Sequence, residues 1–250
     1  MKNRAYKNYI FDFYGTLVDI LTDEKDPVLW DKLGQLYQAY GAAYEGDALK
    51  KAYAKHVDQA RKELIELKGV AYPEIDLAHI FNQLYVDARP QSSNSNQPED
   101  WGQLIAMVFR VLSRKHVTAY PHTKEVLAFL KEQGCRIYLL SNAQAAFTNA
   151  EIDLMELRPY FDAIYLSSDV GICKPQPEFL KQVLDDYGLN PSETVMVGND
   201  LTTDIAVAEA VGIDGILLNT FPYSRRELEN SPIKPDRVIT DIEALKTNFT

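Results

Sequence analysis

Apolar positions along this chain follow two rhythms, and the change between them predicts its architecture. Residues 9–13 form a nearly continuous apolar run broken by Asp12, the composition of a strand buried on both faces. From about residue 26 to 116 the apolar positions recur at helical spacing, with no convincing strand. Val28, Leu29, Leu33, Leu36 and Tyr37 predict one helical face, and Ala48, Leu49, Ala52, Tyr53 and Val57 a second. Leu77, Ile80, Phe81 and Leu84 predict a third, and Trp101, Leu104, Ile105, Val108 and Val111 a fourth. Between these last two, residues 89–99 are rich in Pro, Ser, Asn and Gln and read as an exposed loop. From Tyr120 onward short apolar runs at 136–140, 163–166, 194–197 and 215–218 alternate with helical stretches at 125–133, 177–187 and 204–211. Strands separated by helices predict an α/β fold, a parallel sheet covered on both faces, interrupted after its first strand by an inserted helical unit.

Ligands of such sheets gather beyond the carboxyl ends of the strands. Four strand ends carry polar residues there: Asp12 and Thr16; Ser141 and Asn142; Lys174; and Asn199, Asp200 and Asp204. A carboxylate closing a buried strand needs a partner or a purpose, since isolated burial costs several kcal/mol. Gly15 allows a tight turn in which amides face an anion. Each residue taken alone has an ordinary role: Asp12 opening an Asx turn, Ser141-Asn142 or Asp200 capping a helix, Lys174-Pro175 in a surface loop, Asp204 in a helix-face ion pair. Together they point to one functional rim.

Composition narrows the ligand. The 250 residues carry a net charge of −10 and no cluster of Lys and Arg, which excludes nucleic acid as the expected partner. No apolar run after Met1-Lys2-Asn3-Arg4 is long enough for a signal peptide or a membrane span, so a cytoplasmic protein without membrane contact is expected. Cys135 and Cys173 lack metal-ligand spacing; Cys173, beside Lys174, reads as a small buried filler in preference to a reactive thiol. His56, His79, His116 and His122 share no metal or triad spacing, and Asp19 reads as a helix cap at the entry to the insertion. Trp30, Tyr37, Tyr40, Tyr44 and Tyr53 are expected in helix packing.

The ordered set Asp12-x-Tyr14-Gly15-Thr16-Leu17, Ser141-Asn142, Lys174-Pro175 and Gly198-Asn199-Asp200-x-x-x-Asp204 resembles the four motifs of the haloacid dehalogenase-like hydrolase superfamily across essentially the whole chain. The resemblance implies a Rossmann-like core, here residues 1–19 and 117–250, with a helical cap domain at 20–116 that closes over a small-molecule substrate. It implies Asp12 as the nucleophile of a covalent aspartyl mechanism, with Thr16, Ser141 and Asn142 as polar groups of the site and Lys174 neutralising charge. It also implies Mg²⁺ held by Asp12, Asp200 and the backbone carbonyl of Tyr14, with Asp204 fixing a coordinated water.

Tyr14 departs from the pattern. Phosphatases of the superfamily usually place there an aspartate that protonates the leaving oxygen, a task for which tyrosine, with a pKa near 10, is poorly suited. The superfamily's L-2-haloacid dehalogenases do carry tyrosine at this position. They also hold the substrate carboxylate with an arginine early in the cap, whereas no arginine lies between Arg4 and Arg61; they work without metal, with asparagine where Asp200 aligns; and they have a tyrosine where this chain has Leu180. The expectation is therefore a Mg²⁺-dependent phosphatase of a small phosphorylated compound. Metal-independent 2-haloacid hydrolysis and a weakly active ligand-binding protein are the alternatives.

Overall fold

The computed structural model describes residues 5–89 and 98–249. Most of the expected loop 89–99 lies outside them. Six parallel strands, β1 (Asn8–Phe11), β4 (Arg136–Ser141), β5 (Ala163–Leu166), β6 (Thr194–Gly198), β7 (Asp214–Leu218) and β8 (Arg237–Ile239), form one sheet in the order β5-β4-β1-β6-β7-β8. Central β1 pairs with β4 and β6, so that Phe11 registers with Leu139 on one side and Val197 on the other. The chain builds outward from β1 to β4 and β5, then returns to the other side of β1 with β6. The crevice between β1 and β6 is thus the switch point at which ligands of open α/β sheets sit.

Side-chain alternation divides the core between two layers. Tyr9, Phe11, Ile137 and Leu139 face α5 (Thr123–Glu132) through Val126, Leu127 and Leu130. Ile10, Tyr138, Leu140 and Met196 face the opposite way, against Phe179, Leu180 and Val183 of α8 (Pro177–Asp186) and Val207 and Ala208 of α9 (Ala206–Val211). Full burial of side chains of this size stabilises by roughly 1.5–3 kcal/mol each. The remaining core helices are α6 (Ala145–Leu154), α7 (Ser167–Val170) and α10 (Arg225–Asn230).

The insertion contains α1 (Pro27–Ala39), α2 (Gly46–Lys68), α3 (Leu77–Ala88) and α4 (Trp101–Ser113). Asp26 caps α1 by accepting the Val28 N–H, with Pro27 in the first turn where its missing donor costs nothing. These helices surround an apolar cluster of their own, including Trp30, Leu33, Tyr37, Phe81, Leu84 and Trp101, against which Tyr40, Tyr44 and Tyr53 pack. An antiparallel ribbon of β2 (Val18–Thr22) and β3 (Arg114–Ala119) joins insertion to sheet.

Three local expectations change. The ribbon lies partly in a stretch read as strandless, because β3 is polar and mostly exposed and so lacks an apolar stripe. Asp19 sits in β2 and pairs with His116 at 2.9 Å instead of capping a helix. On α4 the buried face is rotated: Leu104 and Val111 are exposed, whereas Phe109 and Arg110 are buried. Among the described residues no helix is long and apolar enough to cross a membrane.

Candidate active site

Asp12 follows β1 directly, with its N–H donated to the Val197 carbonyl of β6 at 3.0 Å. Its carboxylate is nearly buried and fully engaged: Oδ1 accepts from Ser141 Oγ at 3.0 Å and Lys174 Nζ at 2.8 Å, and Oδ2 accepts from Thr16 Oγ1 at 3.3 Å. The Thr16 hydroxyl is shared with Asn199 Oδ1 at 3.2 Å. Between them the chain turns at Gly15, whose φ of +79° favours glycine, and a Cβ there would come within 2.6–2.9 Å of the Asn199 side chain. Conformation and close approach both demand glycine at this point.

Lys174 is buried, and its ammonium has three acceptors: Asp12 Oδ1, the Leu140 carbonyl and Asp204 Oδ1, all at 2.7–2.8 Å. Burial favours the neutral amine, but Asp12 and Asp204 overcome it and hold the lysine protonated above its ordinary range. Asn142 grips the lysine's backbone from both sides, accepting the Lys174 N–H at 2.7 Å and donating to its carbonyl at 2.9 Å. Asn142 therefore fixes where Lys174 stands.

Asp204 lies in a π-helical turn, Leu201–Ile205, of the kind often found at functional sites. Burial raises its carboxyl above the usual carboxylate range, with Lys174 opposing and Asp12 adding to the shift. A Cβ on Gly198 would collide with the Asp204 side chain, so that glycine admits the carboxylate. Asp200 behaves differently: Oδ1 accepts from Thr202 N, Thr203 N and Thr202 Oγ1, capping the turn, while Oδ2 has no hydrogen-bond partner among the described residues. Of the three carboxylates expected around the lysine, two bind it directly.

The Tyr14 hydroxyl is turned toward α6. It donates to Glu151 Oε2 at 2.5 Å, with Thr148 Oγ1 at 3.1 Å. Glu151 is forked by Arg110 of α4, Nε and Nη2 each at 2.9 Å, and bound by Arg114 Nη1 at 2.9 Å. The Arg110 guanidinium lies 5.0 Å above the Tyr14 ring and 4.6 Å from the Phe147 ring centre, a cation–π arrangement. Burial would raise the Glu151 carboxyl, but Arg110, Tyr14 and Arg114 hold it below its usual value. Burial, opposed by Arg110 and reinforced by Glu151, pushes the Tyr14 phenol well above its usual range. Arg110, Arg114 and Glu151 were absent from the expected site. One signal marks Arg110: it is the sole charge in the mostly apolar stretch 101–113, and such a charge needs a partner.

A family model of haloacid dehalogenase-like hydrolases matches residues 6–212. The chain belongs to this family. Among its relatives, a ribulose-1,5-bisphosphate 5-phosphatase from Halopiger xanaduensis is 31% identical over 130 residues, 52% of each chain. A glyceraldehyde 3-phosphate phosphatase from Pyrococcus furiosus is 28% identical over 191 residues, 75% of each chain. The matched region thus spans about half of the first relative and three quarters of the second. The crystal structure of a 2-haloacid dehalogenase from Pseudomonas syringae pv. Tomato DC3000 superposes with a TM-score of 0.67 over 98% of both chains at 19% identity, a shared fold.

In this haloacid dehalogenase-like hydrolase the helical insertion also braces the loops that present Ser141 and Lys174. Glu74, between α2 and α3, accepts from Ser167 Oγ at 2.7 Å and Gln144 Nε2 at 3.1 Å, and its own N–H donates to the Gly171 carbonyl. Ser167 Oγ in turn accepts the Ala143 N–H at 2.8 Å, and the Cys173 N–H donates to the Tyr72 carbonyl at 3.0 Å. Residues 141–144 and 171–174 are thereby tied to the segment 72–75. A cavity of about 440 Å³ opens at this junction, walled by Leu64, Leu67, Ile80 and Val170 among others. Burial chiefly, with help from Glu74, pushes the Cys173 thiol up to about 11, the behaviour of an inert filler.

Charge and donor type at the strand ends fit a divalent cation. Asp12, Asp200 and Asp204 carry three negative charges against one from Lys174, and every candidate ligand atom is a hard oxygen. A separate trio, His122, Glu125 and Glu243, is the group of three His, Cys, Asp or Glu ligand atoms lying within 4.8 Å of one another among the described residues. It is partly exposed and does not include Asp12, Asp200 or Asp204.

Proposed function

We propose that this hydrolase is a Mg²⁺-dependent phosphatase of a small phosphorylated compound, with Asp12 as its nucleophile. The observation that carries the reading is the Asp12 carboxylate itself, at the switch point, held by Lys174, Ser141 and Thr16, with Asp204 on the same ammonium. An Asp12 oxygen attacks phosphorus, the bond to the leaving oxygen breaks, and water then hydrolyses the aspartyl phosphate to regenerate the carboxylate. Lys174 and the two hydroxyls stabilise the negative charge, and Asn142 keeps Lys174 in place. Asp12, Asp200 and the Tyr14 carbonyl would hold Mg²⁺, with Asp204 behind them. The ion supplies Lewis-acid stabilisation of phosphoryl oxygens. The phosphatase names of the relatives support this choice of substrate class.

In this reading the helical insertion is a cap, divided from the core near 19/20 and 116/117 within the β2–β3 ribbon. The free thiols Cys135 and Cys173 fit a reducing cytoplasm, and the net charge of −10 disfavours nucleic acid. The test is release of phosphate from p-nitrophenyl phosphate. Activity that needs Mg²⁺ and disappears in Asp12→Asn supports the reading; activity indifferent to either change refutes it.

Tyr14 favours a second reading, hydrolysis of a carbon–halogen bond through the same aspartate without metal. The two chemistries separate in H₂¹⁸O. An alkyl ester of Asp12 hydrolysed at its carbonyl carbon leaves ¹⁸O in Asp12, whereas an aspartyl phosphate attacked at phosphorus leaves Asp12 unlabelled.

A further inference from the structure

Protonation of a leaving group needs a donor whose proton is free to move toward it, and the protons around Asp12 are already committed. Lys174 directs its ammonium at Asp12, Asp204 and the Leu140 carbonyl. Ser141 donates to Asp12, and Thr16 is shared between Asp12 and Asn199. Asp204 accepts through both oxygens, from Lys174 and from the Asp200 N–H, and Asp200 accepts three bonds on Oδ1.

Among the described residues Tyr14 is the one hydroxyl of the loop 12–17 not yet accounted for, and it faces the other way. Its proton is given to Glu151, while its ring is held beneath Arg110 and at 4.8 Å from the Phe13 ring. Glu151 is itself fixed by two arginines, groups that do not release protons in proteins. Redirecting the tyrosine would strip a donor from a buried carboxylate, an expensive rearrangement. The cluster therefore makes Tyr14 a structural clamp between the β1 loop, α6 and α4.

We infer that the substrates of this enzyme carry leaving groups that depart unprotonated: acyl phosphates, phosphoanhydrides, and aryl or enol phosphates, in preference to alkyl phosphate esters. The inference rests on the phosphatase reading. When the Asp12 oxygen bonds to phosphorus, the leaving oxygen takes the electron pair of the broken P–O bond and leaves as carboxylate, phosphate, phenolate or enolate, acquiring a proton afterwards from solvent if its basicity requires one. Water then attacks the aspartyl phosphate, returns the Asp12 carboxylate and loses its proton to solvent. Without a positioned base this second step is slow, so the aspartyl phosphate accumulates with good leaving groups.

The test is kcat/KM, which reports formation of the aspartyl phosphate, for acetyl phosphate, p-nitrophenyl phosphate, phenyl phosphate and glycerol 3-phosphate with Mg²⁺. General acid catalysis contributes about 10²–10⁴-fold, and its absence should appear as a fall of at least about 10² from p-nitrophenyl phosphate to glycerol 3-phosphate. A stopped-flow burst of nitrophenolate close to one equivalent per enzyme is also expected. Values within about tenfold across the series, the mark of a working acid, overturn the inference and leave the phosphatase reading standing. No phosphate release from any of the four overturns the phosphatase reading and the inference with it. As a second variant, Tyr14→Asp is expected to raise the ratio of glycerol 3-phosphate to p-nitrophenyl phosphate activity; a folded variant with an unchanged ratio counts against an acid vacancy at this position.

Discussion

Lys174 Nζ lies 2.8 Å from Asp12 Oδ1 and 2.7 Å from Asp204 Oδ1, and none of the three side chains is more than 10% exposed. One ammonium thus makes two buried carboxylates tolerable. Lys174→Met removes the counter-charge while keeping the apolar stem, and leaving buried charge unpaired costs about 3–5 kcal/mol. The expected outcome is a large drop in thermal midpoint together with loss of at least about 100-fold in turnover. A variant with native Tm and native kcat would show that the lysine is dispensable to both.

Asp200 contributes a cap through Oδ1 and leaves Oδ2 open. Asp200→Ala is expected to cost about 1 kcal/mol from the lost cap and to weaken Mg²⁺ binding by at least about tenfold. Titration of the thermal midpoint with Mg²⁺ measures both, because a ligand that binds the native state raises Tm by an amount that grows logarithmically with its concentration relative to Kd. The same Mg²⁺-induced shift in variant and parent would remove Asp200 from the metal site.

Three of the four helical faces and five of the six sheet strands were legible because burial writes itself as periodicity; α4 was read as a helix with its buried face turned the wrong way. The ribbon and the three-residue β8 were not, since short or exposed strands carry no apolar stripe. The Tyr14–Glu151–Arg110 cluster was hidden for another reason. It joins residues 14, 110 and 151, and only the tertiary fold shows that Arg110 answers Glu151 and not a substrate.

Glu74 reaches from the helical insertion to Ser167 and Gln144, beside the segments that carry Ser141 and Lys174. Glu74→Ala removes one acceptor from each of those donors, which keep the Ala143 and Ile75 carbonyls, with an expected loss of about 1 kcal/mol in unfolding free energy. Because Ser167, held by Glu74, accepts the Ala143 N–H beside Ser141, kcat is expected to fall more than KM changes. Urea unfolding combined with steady-state kinetics checks this. An unchanged kcat in a destabilised variant would confine Glu74 to a structural role.

The Cys173 thiol, pushed up to about 11 by burial and Glu74, stays protonated through the neutral range. Its alkylation by iodoacetamide in the folded protein should therefore rise about tenfold per pH unit from pH 7 to 9.5 without levelling, since only the thiolate reacts. A plateau with a midpoint near the ordinary 8.5 would contradict a thiol held protonated by its surroundings.

The central claim, that Asp12 bonds covalently to the transferred group, is tested most directly by the stereochemical course at phosphorus. Using a phosphate ester made chiral with oxygen isotopes, each in-line displacement inverts the centre. Two displacements, onto Asp12 and then onto water, predict net retention. Net inversion would mean that water attacks the substrate directly and would contradict the account.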